Sequence, residues 1–222
     1  MSDCTAGTIS GNVHAEGRDN EIKNSGNSGS SSGAYDSRAY KFATKTDYTA
    51  MHEFVVSLEG TFDPKSFPAS NQVAQVVPWK ISQHKARFEP HILTVLKGTT
   101  VEWPNNDDIF HNVFSYSETK QFDLGLYKNP EIKSVTFDTC GRVDVFCSIH
   151  SSMSCVVLVL DNPYFTKTDQ NGDYKLLNVP PGKYTVKVWH ERLPAQRMEV
   201  IVPDTGEVKM NFTMGIKGLP KI

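Results

Sequence analysis

Apolar residues along this chain come in short runs, and nowhere do they recur over a long stretch at the spacing of a helix face. Residues 54–58, 73–79, 91–96, 99–103, 134–137, 143–146 and 155–160 are rich in Val, Ile, Leu, Thr and aromatic side chains, with Gly, Pro, Asn or Asp between them. Such side chains suit a pleated, half-buried surface, so each run predicts a strand. Lys97-Gly98 and Cys140-Gly141 predict hairpin turns. Residues 183–190 alternate Tyr184, Val186 and Val188 with Thr185, Lys187 and Trp189. That period of two sends one set to each face of a sheet. Strands over 174–177, 198–202 and 207–214 accompany it, with turns at 169–173, 179–182 and 203–206. Residues 8–14 and 53–58 are also strand-like and are expected to pair in one sheet. Between them lies a polar stretch with NSGNSGSSSG at 24–33. It buries too little apolar surface to offset the entropy of ordering it, so it reads as a mobile insertion. The fold class that follows is all-β, a sandwich built of short strands.

Composition narrows the function classes. The 222 residues suffice for one large or two small domains with hydrophobic cores. With 23 basic against 25 acidic residues the net charge is −2, which gives no electrostatic case for nucleic acid. The longest apolar run, 155–160, is far shorter than the roughly 20 residues of a membrane-crossing helix. The opening MSDCTAG lacks the apolar segment of a secretory leader, although a leader removed before it remains compatible with the sequence. Cys4 would carry a lipid anchor only if such cleavage fell just before it. Cysteines at 4, 140, 147 and 155 match neither a zinc ribbon nor a disulfide framework. Cys140 and Cys155 flank one loop on neighbouring strands. A hairpin centred near residue 150 sets Cys155 opposite about 145, which argues against a bridge between them.

The informative stretch is VFCSIHSSMS at 145–154. Cys147, His150 and Met153 fall at Cys-x2-His-x2-Met, placing a thiolate, an imidazole and a thioether on one loop between two strands. Upstream, WPNNDDIFHNVF at 103–114 supplies a second imidazole, His111. Two His, one Cys and a weak axial Met form the donor set of blue-copper electron-transfer sites. Soft sulfur suits Cu(I) and imidazole suits Cu(II), so a compromise geometry lets the metal change oxidation state with little rearrangement. A structural zinc site prefers Cys and His without Met.

At these residues the chain resembles the cupredoxins, the plastocyanin and amicyanin family. The resemblance runs over about 53–160. It is carried by Phe88-Glu-Pro-His-Ile-Leu93, by GTTVEWPN at 98–105, by His111-Asn112 and by the Cys147…His150…Met153 loop, whose spacing is the short one of amicyanin. FDLGLY at 122–127 resembles the methylamine-utilisation-like members. The resemblance implies one type 1 copper bound through Nδ1 of His111 and His150, with His150 nearer solvent as the electron port. It also implies that Asn112 ties the upstream loop to the ligand loop and the Cys147 sulfur. From about Asn162 the chain resembles carboxypeptidase-regulatory-like (transthyretin-like) modules, on TDQNGDYKL at 168–176 and VPPGKYTVKVW at 179–189. The expected division is an N-terminal strand and insertion over 1–52, a cupredoxin domain over 53–161, and the small β module over 162–222.

Other features carry less. Asp169, Asn171 and Asp173 lack the Gly and Glu of a calcium-binding loop, so turn chemistry explains them. His190-Glu191 is not a zinc-protease motif, because Pro194 stands at the second His position. His84 and His91 could bind a second metal, but a hydrogen bond at a strand end is the commoner explanation. His-x-His pairs, which copper oxidases and nitrite reductases need, do not occur. The function expected is single-electron transfer, without enzymatic activity, to or from a redox protein such as a cytochrome or dehydrogenase. The expected location is the periplasm or outside the cell. The rival is a cell-surface structural or interaction protein whose copper is secondary or stored.

Overall fold

The computed structural model of the protein describes residues 6–17, 47–60, 62, 67 and 79–215. Its strands are β1 (Gly7–Glu16), β2 (Val55–Glu59), β3 (Trp79–Lys80), β4 (Ser82–His84), β5 (Arg87–Glu89), β6 (Ile92–Leu96), β7 (Thr99–Pro104), β8 (His111–Ser117) and β9 (Lys120–Tyr127), continuing with β10 (Ile132–Phe137), β11 (Gly141–Phe146), β12 (Ser154–Leu160), β13 (Phe165–Lys167), β14 (Asp173–Val179), β15 (Gly182–His190), β16 (Leu193–Val202), β17 (Glu207–Lys209) and β18 (Phe212–Gly215). The one helical element among the described residues is a 3-10 turn at Tyr48–Ala50, started by the Asp47 side chain accepting from the Thr49 N–H. The chain is all-β. Cys4, the 24–33 run and most of the strand expected over 73–79 lie outside the described residues.

Two compact units divide the chain. A contiguous unit spans Gly60–Tyr164, and a composite unit joins the described residues up to Glu59 with those from Phe165 onward. β1 and β2 belong to the composite unit. Residues 8–14 and 53–58 do not pair with each other. β1 lies between β14 and β17 and also pairs β18, while β2 lies between β13 and β15. The reason is burial: Val55, Val56, Ser57 and Leu58 are all buried, as a strand covered on both faces must be. Its partners, Val186 and Val188 on β15, are equally buried.

The contiguous unit is a sandwich of a five-stranded sheet, β6-β12-β11-β8-β9, and a three-stranded sheet, β10-β7-β3, with the β4-β5 hairpin beside them. Alternation builds its core. Val143, Val145 and Cys147 face inward while Arg142, Asp144 and Phe146 face outward. Trp103, Val101, Val135 and Phe137 from the smaller sheet join the same apolar cluster. Burying each such Val or Phe side chain contributes about 1.5–3 kcal/mol. The turns at Lys97-Gly98 and Cys140-Gly141 are not hairpins. Each carries the chain from one sheet to the other, and the Gly98 N–H donates to Phe137 O at 2.7 Å to tie the two crossings together.

In this sandwich β11 and β12 are antiparallel neighbours with Val145 opposite Cys155, the register expected from the loop position. β8 flanks β11, with Phe114 opposite Phe146. The start of β8 and the end of β11 thus meet at one end of the sheet.

Candidate metal centre

The loop from β7 to β8 is shaped by Asn105. Its side-chain amide donates to Ile109 O and Tyr127 O, both at 3.0 Å, and its Oδ1 accepts the Asp107 N–H at 2.9 Å. This folds 105–110 into a tight bend, and His111 enters β8 with its side chain fully buried. The β11–β12 loop is closed by its own backbone. Cys147 N–H donates to Met153 O at 3.1 Å and Met153 N–H to His150 O at 2.9 Å. Those two bonds hold Cys147, His150 and Met153 on one short turn.

The two loops bring three donors together. His111 Nδ1 lies 3.0 Å from His150 Nδ1, and Cys147 Sγ lies 3.7 Å from His150 Nδ1. The donor atoms of all three residues lie within 4.8 Å of one another, the only such group of His, Cys, Asp or Glu among the described residues. Nitrogen and sulfur donors about 2.0–2.3 Å from a shared metal lie roughly 3–4 Å apart, so the donor set fits one small ion. Met153 is buried beside them in the sequence, at 1 % exposure, in the same apolar cluster as Cys147. His150 is the least buried of the four.

Hydrogen bonds orient these side chains. The Asn112 N–H donates to Cys147 Sγ at 3.5 Å. Its side chain does something else: the amide donates to Asp123 Oδ1 at 2.6 Å on β9, and that oxygen also accepts the Gly125 N–H at 2.8 Å. Asn112 therefore latches β8 to β9 through its side chain and touches Cys147 on the β11–β12 loop through its backbone.

Sequence reasoning left Asp107 without a role. Its Oδ2 lies 2.8 Å from His111 Nε2, and its carboxylate accepts the backbone N–H groups of Lys85 (2.7 Å) and Ala86 (2.9 Å). Burial alone would raise its pKa, but the bonds from Ala86, His111 and Lys85 outweigh that and lower it to about 2. Ionised Asp107 can only accept, so His111 Nε2 carries the proton and the Nδ1 lone pair faces the site. His84 lies 3.7 Å from Asp107, and His91 Nδ1 lies 3.1 Å from Ser154 O, so both have the hydrogen-bonding or electrostatic partners expected at strand ends. Asp169 likewise accepts from the Asn171 and Asp173 N–H groups, which is turn chemistry.

Around the β7–β8 and β11–β12 loops several apolar side chains are open to solvent. Ile109 and Phe110 precede His111, Ile149 precedes His150, and Leu126 is the β9 partner of Asn112; each is at least half exposed.

Residues 75–160 match the family of copper binding proteins described as the plastocyanin/azurin family. That stretch contains all four donor residues and points to copper and, in general terms, to electron transfer. No curated protein matches the chain in sequence. Among solved structures, a Cu-containing nitrite reductase from Thermus scotoductus SA-01 is similar at 24 % identity and TM-score 0.37, over 39 % of this chain and 23 % of that one. The chain thus spans about a quarter of that enzyme. An oxidised amicyanin variant is similar at 27 % identity and TM-score 0.36, covering 37 % and 82 %. A purple cupredoxin from Nitrosopumilus maritimus is similar at 23 % identity and TM-score 0.34, covering 37 % and 99 %. These likenesses are partial and carry no argument about activity.

Proposed function

We propose that this protein is a type 1 copper protein that passes single electrons between redox partners in the periplasm or outside the cell, and that it catalyses no reaction of its own. The observation that carries the reading is the convergence of His111 Nδ1, Cys147 Sγ and His150 Nδ1 on one point, with Met153 on the same loop. His111, Cys147 and His150 would hold the ion as its strong donors, with the Met153 thioether as a weak one. Bound copper supplies a Cu(II)/Cu(I) couple at this donor set. Cys147 is 5 % exposed, which keeps water and oxidants from the thiolate. The backbone bonds that close the loop and the Asp107 and Asn112 bonds hold the donors in one arrangement, so a change of one charge requires little movement. His150, less buried than His111, is the exit for the electron. The exposed Ile109, Phe110, Leu126 and Ile149 offer a partner such as a cytochrome or dehydrogenase an apolar surface beside it.

The composite unit is read as a non-catalytic carboxypeptidase-regulatory-like module, completed by β1 and β2. The reading rests on the turn and strand pattern of 168–190.

Cu(II) added to the metal-free protein tests the function. An intense blue thiolate-to-copper band is expected, bleached by ascorbate and restored by oxidation. Cys147→Ser is expected to bind without that band. A colourless wild-type product ends the copper reading. A blue protein that exchanges electrons with no cytochrome or dehydrogenase leaves the interaction or storage role in its place.

A further inference from the structure

The Asp107 carboxylate is shared between two tasks. One oxygen accepts the Lys85 N–H, while the other accepts both the Ala86 N–H and the ring N–H of His111. Lys85 and Ala86 form the tip of the β4-β5 hairpin, with φ of 52° and 53°. Two successive left-handed residues with side chains are an unusual turn, of the kind that joins two-residue hairpins. In this conformation both N–H groups point at Asp107. The Asp107 N–H is itself held by Asn105 Oδ1 at 2.9 Å. The carboxylate therefore has little freedom to leave His111, and its side chain is only 13 % exposed.

We propose that Asp107 is a positioning residue of the copper site, locking His111 as the Nε2–H tautomer and using its negative charge to make Nδ1 a stronger donor to Cu(II) than to Cu(I). This rests on the copper reading above. A carboxylate behind a metal-binding imidazole fixes the ring and raises its basicity. The added electron density favours the more highly charged oxidation state, so it lowers the reduction potential. The β4-β5 turn is part of the device, because without its two N–H groups the carboxylate would be free to rotate toward solvent.

The rival account is that Asp107 merely ends the β4-β5 hairpin. Three measurements on the full chain separate the two. In the metal-free wild-type protein, nitrogen NMR of His111 is expected to show one tautomer with a slowly exchanging Nε2 proton; a Nδ1–H form overturns the proposal without any metal present. With copper loaded, Asp107→Asn and Asp107→Ala are expected to lose about 10–100-fold in Cu(II) affinity. The loss for Cu(I) is smaller, and every tenfold difference between them raises the potential by about 59 mV. If the Asp107 variants unfold more easily yet show an unmoved potential and tautomer, Asp107 is structural only. A wild type without the blue band overturns the copper reading itself, whereas a blue wild type whose potential ignores Asp107→Asn overturns only the role given to Asp107.

Discussion

Cys147 and Cys155 sit at either end of one loop, both at 5 % exposure or less, yet their surroundings assign them different chemistry. Cys147 Sγ receives the Asn112 N–H and lies 3.7 Å from an imidazole nitrogen. Cys155 faces Val145 across the sheet, inside an apolar cluster, and burial pushes its thiol pKa well above the usual value, with the Asp144 charge adding to the effect. It behaves as a small apolar side chain. Cys155→Ser is therefore expected to bury an unpartnered hydroxyl and cost about 1–3 kcal/mol in urea unfolding. The same variant keeps the blue band in a Cu(II) titration, in contrast to Cys147→Ser. Loss of the band in Cys155→Ser with the fold intact would show that the wrong thiol had been assigned. Cys147, His150 and Met153 stood out in the sequence because sulfur and imidazole donors fall at close spacing on one loop, and His111, from the β7–β8 loop, joins Cys147 and His150 only through the fold. Asp107 did not stand out. A carboxylate four residues before a His has meaning on a helix, but here the segment is a loop bent by Asn105, and no periodicity rule covers it. Its other partners, Lys85 and Ala86, act through backbone N–H groups, which leave no side-chain signature.

Strands were the most legible elements, since alternation and β-branched runs follow directly from which face is buried. Their pairing was less so. The turns at 97–98 and 140–141 announced reversals, and a reversal reads as a hairpin until the second sheet is known. Here both turns change sheets, because β6 and β11 belong to the larger sheet and β7 and β10 to the smaller. β1 shows a second limit. Its Gly11 looks like a weak point in a strand, yet it is where the chain crosses closest to a neighbour: a Cβ there would stand 1.7 Å from Met210 O. That proximity accompanies the bond from Met210 N–H to Ser10 O at 2.8 Å. Gly11→Ala must push β1 away from residue 210 and strain the pairing with β17 and β18. The expected cost is about 3 kcal/mol or more, read as a lowered urea midpoint. A midpoint equal to wild type would mean that β1 is not seated as described.

At the scale of the whole molecule, the order of residues along the chain disagrees with the order of assembly. The pattern over 162–222 reads as a small module of its own, and the physical difficulty was visible in its length, since about 60 residues is marginal for independent stability. What sequence could not supply was the source of the missing strands. β1 and β2 come from far upstream and occupy interior places in the two sheets of the composite unit, β1 between β14 and β17 and β2 between β13 and β15. Without β2, β15 would lose five paired residues and expose Val186 and Val188, which are buried in the intact unit. Without β1, β14 and β17 would have no strand joining them, and Phe212 and Met214 would lose the partner strand along β18. A fragment beginning at residue 165 is accordingly expected to give the circular dichroism of an unfolded chain. Addition of a separate fragment covering residues 1–59 is expected to restore a β spectrum and a cooperative unfolding transition, because the two pieces together carry every described strand of the unit. If the 165–222 fragment folds by itself with a sharp transition, the upstream strands are accessories and the composite architecture is wrong. The fragment 60–164 provides the matching control: it contains all four donor residues and both sheets of the contiguous sandwich, so it is expected to turn blue with Cu(II) in the absence of everything else.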